Sequence, residues 1–185
     1  AVAAQYGVCV CLEPGHRLYG RLAVPMRDYW TNELVGWLGR TYTRQTPKYL
    51  STLPRKSITG WRVRNPTVPV LVVEGPFDGI AAHRAGFSVA VLGGTGDAGV
   101  TDWAARLSPQ SEIVVMLDND AAAQAFRLLW QIRAVRGRDA GTVMAALGVG
   151  EDPDSVGPDG IRAAVQAALR SPGPTDIGTT LREVE

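Results

Sequence analysis

The sequence predicts an α/β fold: a mainly parallel sheet flanked by helices, preceded by a small β-rich basic subdomain. Three observations predict it. Apolar runs in the second part, VLVVEG, FSVAVLGG and EIVVMLDND, are continuous rather than alternating, as in strands buried on both faces. They are separated by segments with helical start and stop signals. The segment before them alternates apolar and polar residues and is cut off by RNPTVP, Arg64 to Pro69, which carries two prolines.

The elements follow in chain order. RLYGRLAVPMRDY sets Leu18, Gly20, Leu22 and Val24 against polar or small neighbours, WTNE is a turn, and LVGWLGRTYT is a returning strand. RQTPKYLSTLPRKSITGW holds too many breakers for a regular element. Beyond Pro69, VLVVEG is the first buried strand, and PFDGIAAHRAG is a short helix with proline in its first turn and Gly86 at its end. FSVAVLGG is the next strand; GVTDWAARLS is a helix capped by Thr101; EIVVMLDND is the third strand. In AAAQAFRLLWQIRAVRG, the residues Ala122, Phe126, Leu129, Ile132 and Val135 are spaced for one helix face. DAGTVMAALGVGEDPDS reads as a fourth strand and an acidic loop, PDGIRAAVQAALRS as a last helix, and PGPTDIGTTLREVE as a loose tail. Alternating strands and helices imply a doubly wound sheet. The expected division is 1–67 for the basic subdomain, 68–171 for the parallel-sheet domain and 172–185 for a flexible tail.

Composition narrows the function. The chain has 185 residues, 45% hydrophobic and 20% charged, an ordinary globular mixture. No apolar run reaches the ~18 residues of a membrane span, and the start lacks the marks of a secretory signal. A cytoplasmic protein with no membrane partner is expected. Cys9, Cys11, His16 and His83 are the only cysteines and histidines. Four zinc ligands would need all of them, and the two cysteines read instead as small buried side chains on a strand. The net charge of +1 hides an asymmetry: residues 1–67 hold ten Lys/Arg against three Asp/Glu, and residues 68–185 hold nine against fifteen. A basic half suits phosphates and an acidic half suits metal cations.

The acids fall where chemistry is expected. Ligands of open α/β sheets bind beyond the carboxyl ends of the strands. Glu74 ends the first strand, Asp118 and Asp120 the third, and Asp152 and Asp154 follow the fourth. A single acid there reads as a helix N-cap, with Asp120 or Asn119 capping the helix that follows. Five converging acids read as a cation site, because their repulsion needs a counter-charge. Magnesium takes oxygen ligands of this kind, and metal-assisted phosphoryl transfer is the leading chemistry.

VVEGPFDGIAA, LDNDAA and EDPDS, in this order, resemble the three signatures of the TOPRIM domain. That domain is shared by bacterial-type primases, topoisomerases, some nucleases and recombination mediators. RLAVPMRD, GWLGR, PKYLST and the basic RKS resemble the stretch before TOPRIM in bacterial and phage DNA primases. The resemblance implies a TOPRIM-type sheet and a primase catalytic core or fragment: a nucleotidyltransferase of DNA replication that makes RNA primers on single-stranded DNA. It implies Glu74, Asp118 and Asp120 as catalytic residues. With Asp152 and Asp154, these would hold Mg2+ or Mn2+. It implies Arg40, Lys48 and Lys56, with Arg27 as a weaker candidate, as contacts to nucleotide or template phosphates. The implied partners are the single-stranded template, ribonucleoside triphosphates, and a helicase or a missing primase segment. The short leader suits an excised fragment, half of a split primase, or a minimal phage or plasmid protein.

The sequence departs from the family pattern at Ala122, where glycine is usual, and at Asn119, where glycine is common. Two other readings stay open: a non-catalytic TOPRIM module that binds metal, nucleotide or a replication partner, and a TOPRIM nuclease. Tyr49, Trp37, Trp61 and Tyr42 are interleaved with the basic residues. They suit base stacking, with a core role as the default. Gly93, Gly94 and Thr95 suit either a close ligand approach or a plain turn.

Overall fold

The computed structural model describes residues 1–44, 46–54, 57–93, 99–137 and 141–170. After a single-turn helix α1 (Val2–Gln5), the strands β1 (Cys9–Val10), β2 (Leu22–Arg27), β3 (Leu34–Arg40) and β4 (Tyr49–Ser51) form an antiparallel sheet in chain order. The predicted turn between β2 and β3 is built by Asp28. Its Oδ1 accepts from the Trp30 and Thr31 N–H groups, both at 2.8 Å, an Asx turn.

The second sheet has the order β5-β7-β6-β8-β9. It comprises β5 (Thr59–Trp61), β6 (Val70–Val73), β7 (Ser88–Val91), β8 (Ile113–Val115) and β9 (Thr142–Met144). The last four are parallel, and β5 is an antiparallel edge on β7. Every residue of β6, β7 and β8 is buried, which is why, Ser88 apart, their sequences are apolar. Side chains alternate between two cores. Leu71 and Val73 face α2 (Pro76–Arg84) and α5 (Pro153–Arg170), joined there by Val24, Met26 and Leu38 of the first sheet. Val70 and Val72 face α3 (Val100–Ala105) and α4 (Ala122–Arg136). One of the two cores therefore fuses the sheets. At the end of α4, the Arg136 guanidinium donates to the carbonyls of Ala104, Leu107, Ser108, Pro109 and Ser111, a positive charge placed on the C-terminus of α3.

Several expectations are corrected. Leu18 and Gly20 lie in a turn, not on a strand. The breaker-rich segment before Arg64 yields two strands, β4 and β5, because pairing partners on β3 and β7 override weak local propensity. Thus β5 joins the second sheet although it precedes Arg64–Pro69. Gly60 permits this: its φ is +154°, and a Cβ there would lie 1.8 Å from the Val89 carbonyl oxygen. The cap of α3 is Gly99, not Thr101. The buried face of α4 is Ala125, Leu128, Leu129 and Ile132; Ala122 and Val135 are exposed and Phe126 half-buried, so the stripe is rotated from the predicted one. The last helix runs from Pro158 as predicted; it is preceded, across a break at Gly157 where φ is 67° and ψ 179°, by a short helical turn from Pro153 that the sequence reading took as loop. Cys9 is exposed and Cys11 half-exposed, because β1 is an edge strand. Among the described residues no helix is long and apolar enough to cross a membrane. The predicted tail lies outside the described residues.

Candidate functional site

A cleft of about 680 Å³ opens between β3–β4 and the carboxyl ends of β6 and β8. Parallel pairing sends those ends to one sheet edge, so the loops after them converge. The cleft is lined on that side by Glu74, Asp78, Asp118, Asp120 and Asp152. Arg40, Lys48 and Tyr49 line it from the first sheet, and Gln124 and Arg127 from the start of α4.

Each acid is placed by local structure. Glu74 directly follows β6. Two residues later Pro76 starts α2, and Asp78 sits in its first turn. The Asp78 Oδ2 accepts from the Gly75 N–H at 3.1 Å, the acid half of a capping box, and Asp78 is only 9% exposed. Asp118 precedes a 3-10 turn at Asn119–Ala121 but makes no side-chain cap bond, and α4 is preceded by Ala121. The capping role expected for Asp120 is therefore not observed, and the side chain of Asn119, the other candidate, lies outside the described ones. Instead, Asp118 Oδ1 is buried with no hydrogen-bond partner. Asp152 accepts the Ser155 N–H through Oδ1 at 2.7 Å, and its own N–H donates to Ser155 Oγ at 2.9 Å. It caps α5 while facing the cleft.

The acids share one field. Burial, then the charges of Asp118 and Asp152, pushes the Asp78 carboxyl up to about 7. Burial, then Asp152 and Asp120, raises Asp118, with Lys48 and Arg40 pulling the other way. Burial, then Asp118 and Asp120, raises Glu74 against the pull of Lys48. Across the cleft, the Arg40 guanidinium lies 5.2 Å from the Phe77 ring centre and 5.7 Å from that of Tyr49, and Lys48 Nζ lies 5.6 Å from the Tyr49 ring centre. Both are within cation–π range. Burial pushes the Tyr49 phenol up to about 12, so it stays protonated. Behind this wall Arg21, 3% exposed, donates to the carbonyls of Pro47 at 2.8 Å and Lys48 at 3.2 Å. It fixes the segment that delivers Lys48.

Of the predicted residues, Glu74, Asp118, Asp120, Asp152, Arg40 and Lys48 meet in the cleft. Asp154 does not line it, although its charge reaches Asp78. Arg27 stands apart, exposed, its guanidinium donating to the Asn32 carbonyl at 3.0 Å. Lys56, Gly94 and Thr95 lie outside the described residues. Gly93 lines the cleft with φ +62°. Among the aromatics, Tyr49 lines the cleft, Trp61 packs edge-on against Tyr6, Trp37 is half-buried and Tyr42 is exposed. Sequence reasoning missed Asp78, Gln124, Arg127 and Arg21. For Asp78 a signal existed: an acid four residues after Glu74, in the first turn behind a proline.

The donors can be tested against a divalent cation. Among the described residues no three His, Cys, Asp or Glu side chains are gathered to hold an ion by themselves. A protein cage is not required, because magnesium is held by one or two carboxylates plus waters and substrate phosphates. Asp118 Oδ1, buried and unpartnered, in an all-oxygen set of mutually repelling acids fits a hard cation.

The Toprim domain family matches residues 69–160. The DNA primase of Rickettsia prowazekii (strain Madrid E) is 32% identical over 123 residues, spanning 55% of this chain and 19% of that protein. The crystal structure of a DNA primase domain from Pseudomonas aeruginosa is 26% identical, with a TM-score of 0.66, over 87% of this chain and 56% of that one. The structure of a DnaG primase catalytic domain bound to ssDNA is 21% identical, with a TM-score of 0.66, over 90% and 62%. The chain thus spans about a fifth of the curated relative and little more than half of the Pseudomonas domain. Through residues 69–160 the chain belongs to the Toprim family, set in the fold of bacterial DNA primase catalytic cores.

Proposed function

We propose that this chain is the catalytic part of a DNA primase, joining ribonucleotides on a single-stranded DNA template. The observation that carries the reading is the cleft itself: five carboxylates, one with an orphaned buried oxygen, facing Arg40 and Lys48. Glu74, Asp118, Asp120 and Asp152, which line the cleft, would hold Mg2+ or Mn2+, and Asp154, outside the lining, would add its charge from a distance. The ion supplies charge neutralisation at the reacting phosphates. Arg40 and Lys48 bind the triphosphate from the opposite wall, held in place by Tyr49, Phe77 and Arg21. Asp78 binds no phosphate. It keeps the first turn of α2 in register and holds a proton near neutrality, which limits repulsion in the wall. Alignment and electrostatic stabilisation then do most of the work. The template is single-stranded DNA, the ligand named for the DnaG domain of like fold.

Because the chain spans 56% of the Pseudomonas primase domain, a second reading is a module that binds metal and nucleotide and needs a further primase segment to synthesise. One assay separates them: incorporation of labelled ribonucleotides on single-stranded DNA with Mg2+ or Mn2+. Primers made by the parental chain and not by Asp118→Asn/Asp120→Asn support the proposal. Absence of product with metal and nucleotide binding intact selects the second reading. Undiminished metal binding by the double variant would refute the metal assignment.

A further inference from the structure

A second cleft, of about 380 Å³, lies on the opposite side of the molecule from the acidic one, between the β2–β3 turn and the end of β5. Because β5 runs antiparallel, Arg62 to Arg64 leave it at the edge where the parallel strands begin. The Val63 N–H donates to Ser88 Oγ at 3.1 Å, pinning this segment to the start of β7. The β2–β3 turn joins β5 through the bridge of Asp28 to Thr59, and the Tyr29 side chain extends from it to Ser88 at the start of β7. Arg106, just past the end of α3, comes to the same edge, because helices run back along their strands.

The cleft combines flat rings with unpaired cations. The Arg106 guanidinium lies 4.5 Å from the Trp30 ring centre, and that of Arg62 lies 5.7 Å from both Trp30 and Tyr29. Tyr29 and Trp30 meet edge to face at 5.0 Å. Arg62, Arg64 and Arg106 are exposed, and among the described residues none of the three is in an ion pair. One carboxylate, Asp28, lines the cleft, but its Oδ1 is engaged by the turn's own N–H groups. Two guanidinium groups over a half-exposed indole, Arg62 and Arg106, with Arg64 on the cleft wall, are the chemistry that binds a base and its phosphates.

We propose that this cleft is a second contact for single-stranded nucleic acid, with Trp30 stacking a base and Arg62, Arg64 and Arg106 neutralising the adjoining phosphates. The four-residue strands β6 and β7, about 13 Å long, separate the two edges. The inference rests on the priming reading and adds where the template is held away from the reacting end. The two fail separately, because oligonucleotide binding without nucleotide or metal tests this cleft and primer synthesis tests the acidic one.

The test is fluorescence anisotropy of a labelled oligothymidylate titrated with the parental chain, Arg62→Ala/Arg64→Ala, Trp30→Ala and Trp30→Phe, over a range of salt. Thermal melts confirm that each variant folds. Loss of two phosphate contacts flattens the slope of log K against log salt by about 1.4, at ~0.7 per contact for single strands. Trp30→Ala weakens binding about tenfold, within the range for one stacked base, and Trp30→Phe restores most of it. Unchanged affinity and salt slope in the double arginine variant would overturn the proposal. So would failure of the parental chain to bind the oligonucleotide. Displacement by polyglutamate as effective as by unlabelled oligothymidylate would reassign the cleft to an acidic protein partner, and displacement by uridine monophosphate at equal nucleotide concentration to a free nucleotide.

Discussion

Asp78→Asn measures the repulsion stored in the acidic wall. The substitution keeps an oxygen for the Gly75 N–H and removes the charge. In the folded protein the Asp78 carboxyl is raised from 3.8 to about 7, first by burial and then by Asp118 and Asp152. A raised folded-state value means that the folded form binds this proton more tightly than the unfolded chain. The associated stability is fully present below 3.8 and is lost as pH rises through about 7. At 1.36 kcal/mol per pH unit, the interval is worth about 4 kcal/mol, the ceiling for this one group. Urea denaturation in chelator at about pH 5 and about pH 8 reads it out. The parental chain loses stability between the two conditions relative to Asp78→Asn, and at the higher pH the variant is the more stable. Magnesium, if held by the wall as proposed, should narrow the gap by offsetting the charges of Asp118 and Asp152 that raise Asp78. A parental chain that gains stability over this interval relative to the variant would refute the electrostatic picture of the cleft.

Two further predictions test the scaffold. Arg21→Met removes a buried cation and its bonds to Pro47 and Lys48; loss of charged hydrogen bonds, ~1.5–3 kcal/mol each, is partly offset by relief of desolvation. Nucleotide affinity should therefore fall about five- to tenfold while global stability changes by no more than about 2 kcal/mol. Isothermal titration showing parental affinity would exclude Arg21 as the support of Lys48. Gly60→Ala places a methyl carbon 1.8 Å from the Val89 carbonyl oxygen; the pairing of β5 with β7 should open, with destabilisation above about 3 kcal/mol. A melting temperature within a degree or two of the parental value would show that the edge strand is dispensable.

Much of this was legible in the residues. Val70 to Val73 and Ile113 to Val115 announce doubly buried strands because both faces must be apolar, and the acids beyond them are exposed by that contrast. The rest was hidden for physical reasons. β4 and β5 each have only three residues and exist through partners far along the chain. Asp78 reads as an ordinary helix-start acid, and only burial beside Asp118 sets it apart. The α4 stripe offers several apolar phases, and packing against β8 selects the one through Ala125 and Leu128. The cysteines were misplaced because nothing local marks β1 as an edge. The Trp30 cleft is assembled from three segments distant in sequence and has no local signature at all.

The antiparallel edge formed by β5 has a consequence for anyone dissecting the chain. The family match begins at residue 69, but a fragment cut there leaves β7 with a bare row of N–H and C=O groups along the apolar residues Val89 to Val91. Such a row is a template for sticking to other chains. A stable Toprim fragment of this protein should begin before Thr59, and one that begins at 69 should aggregate.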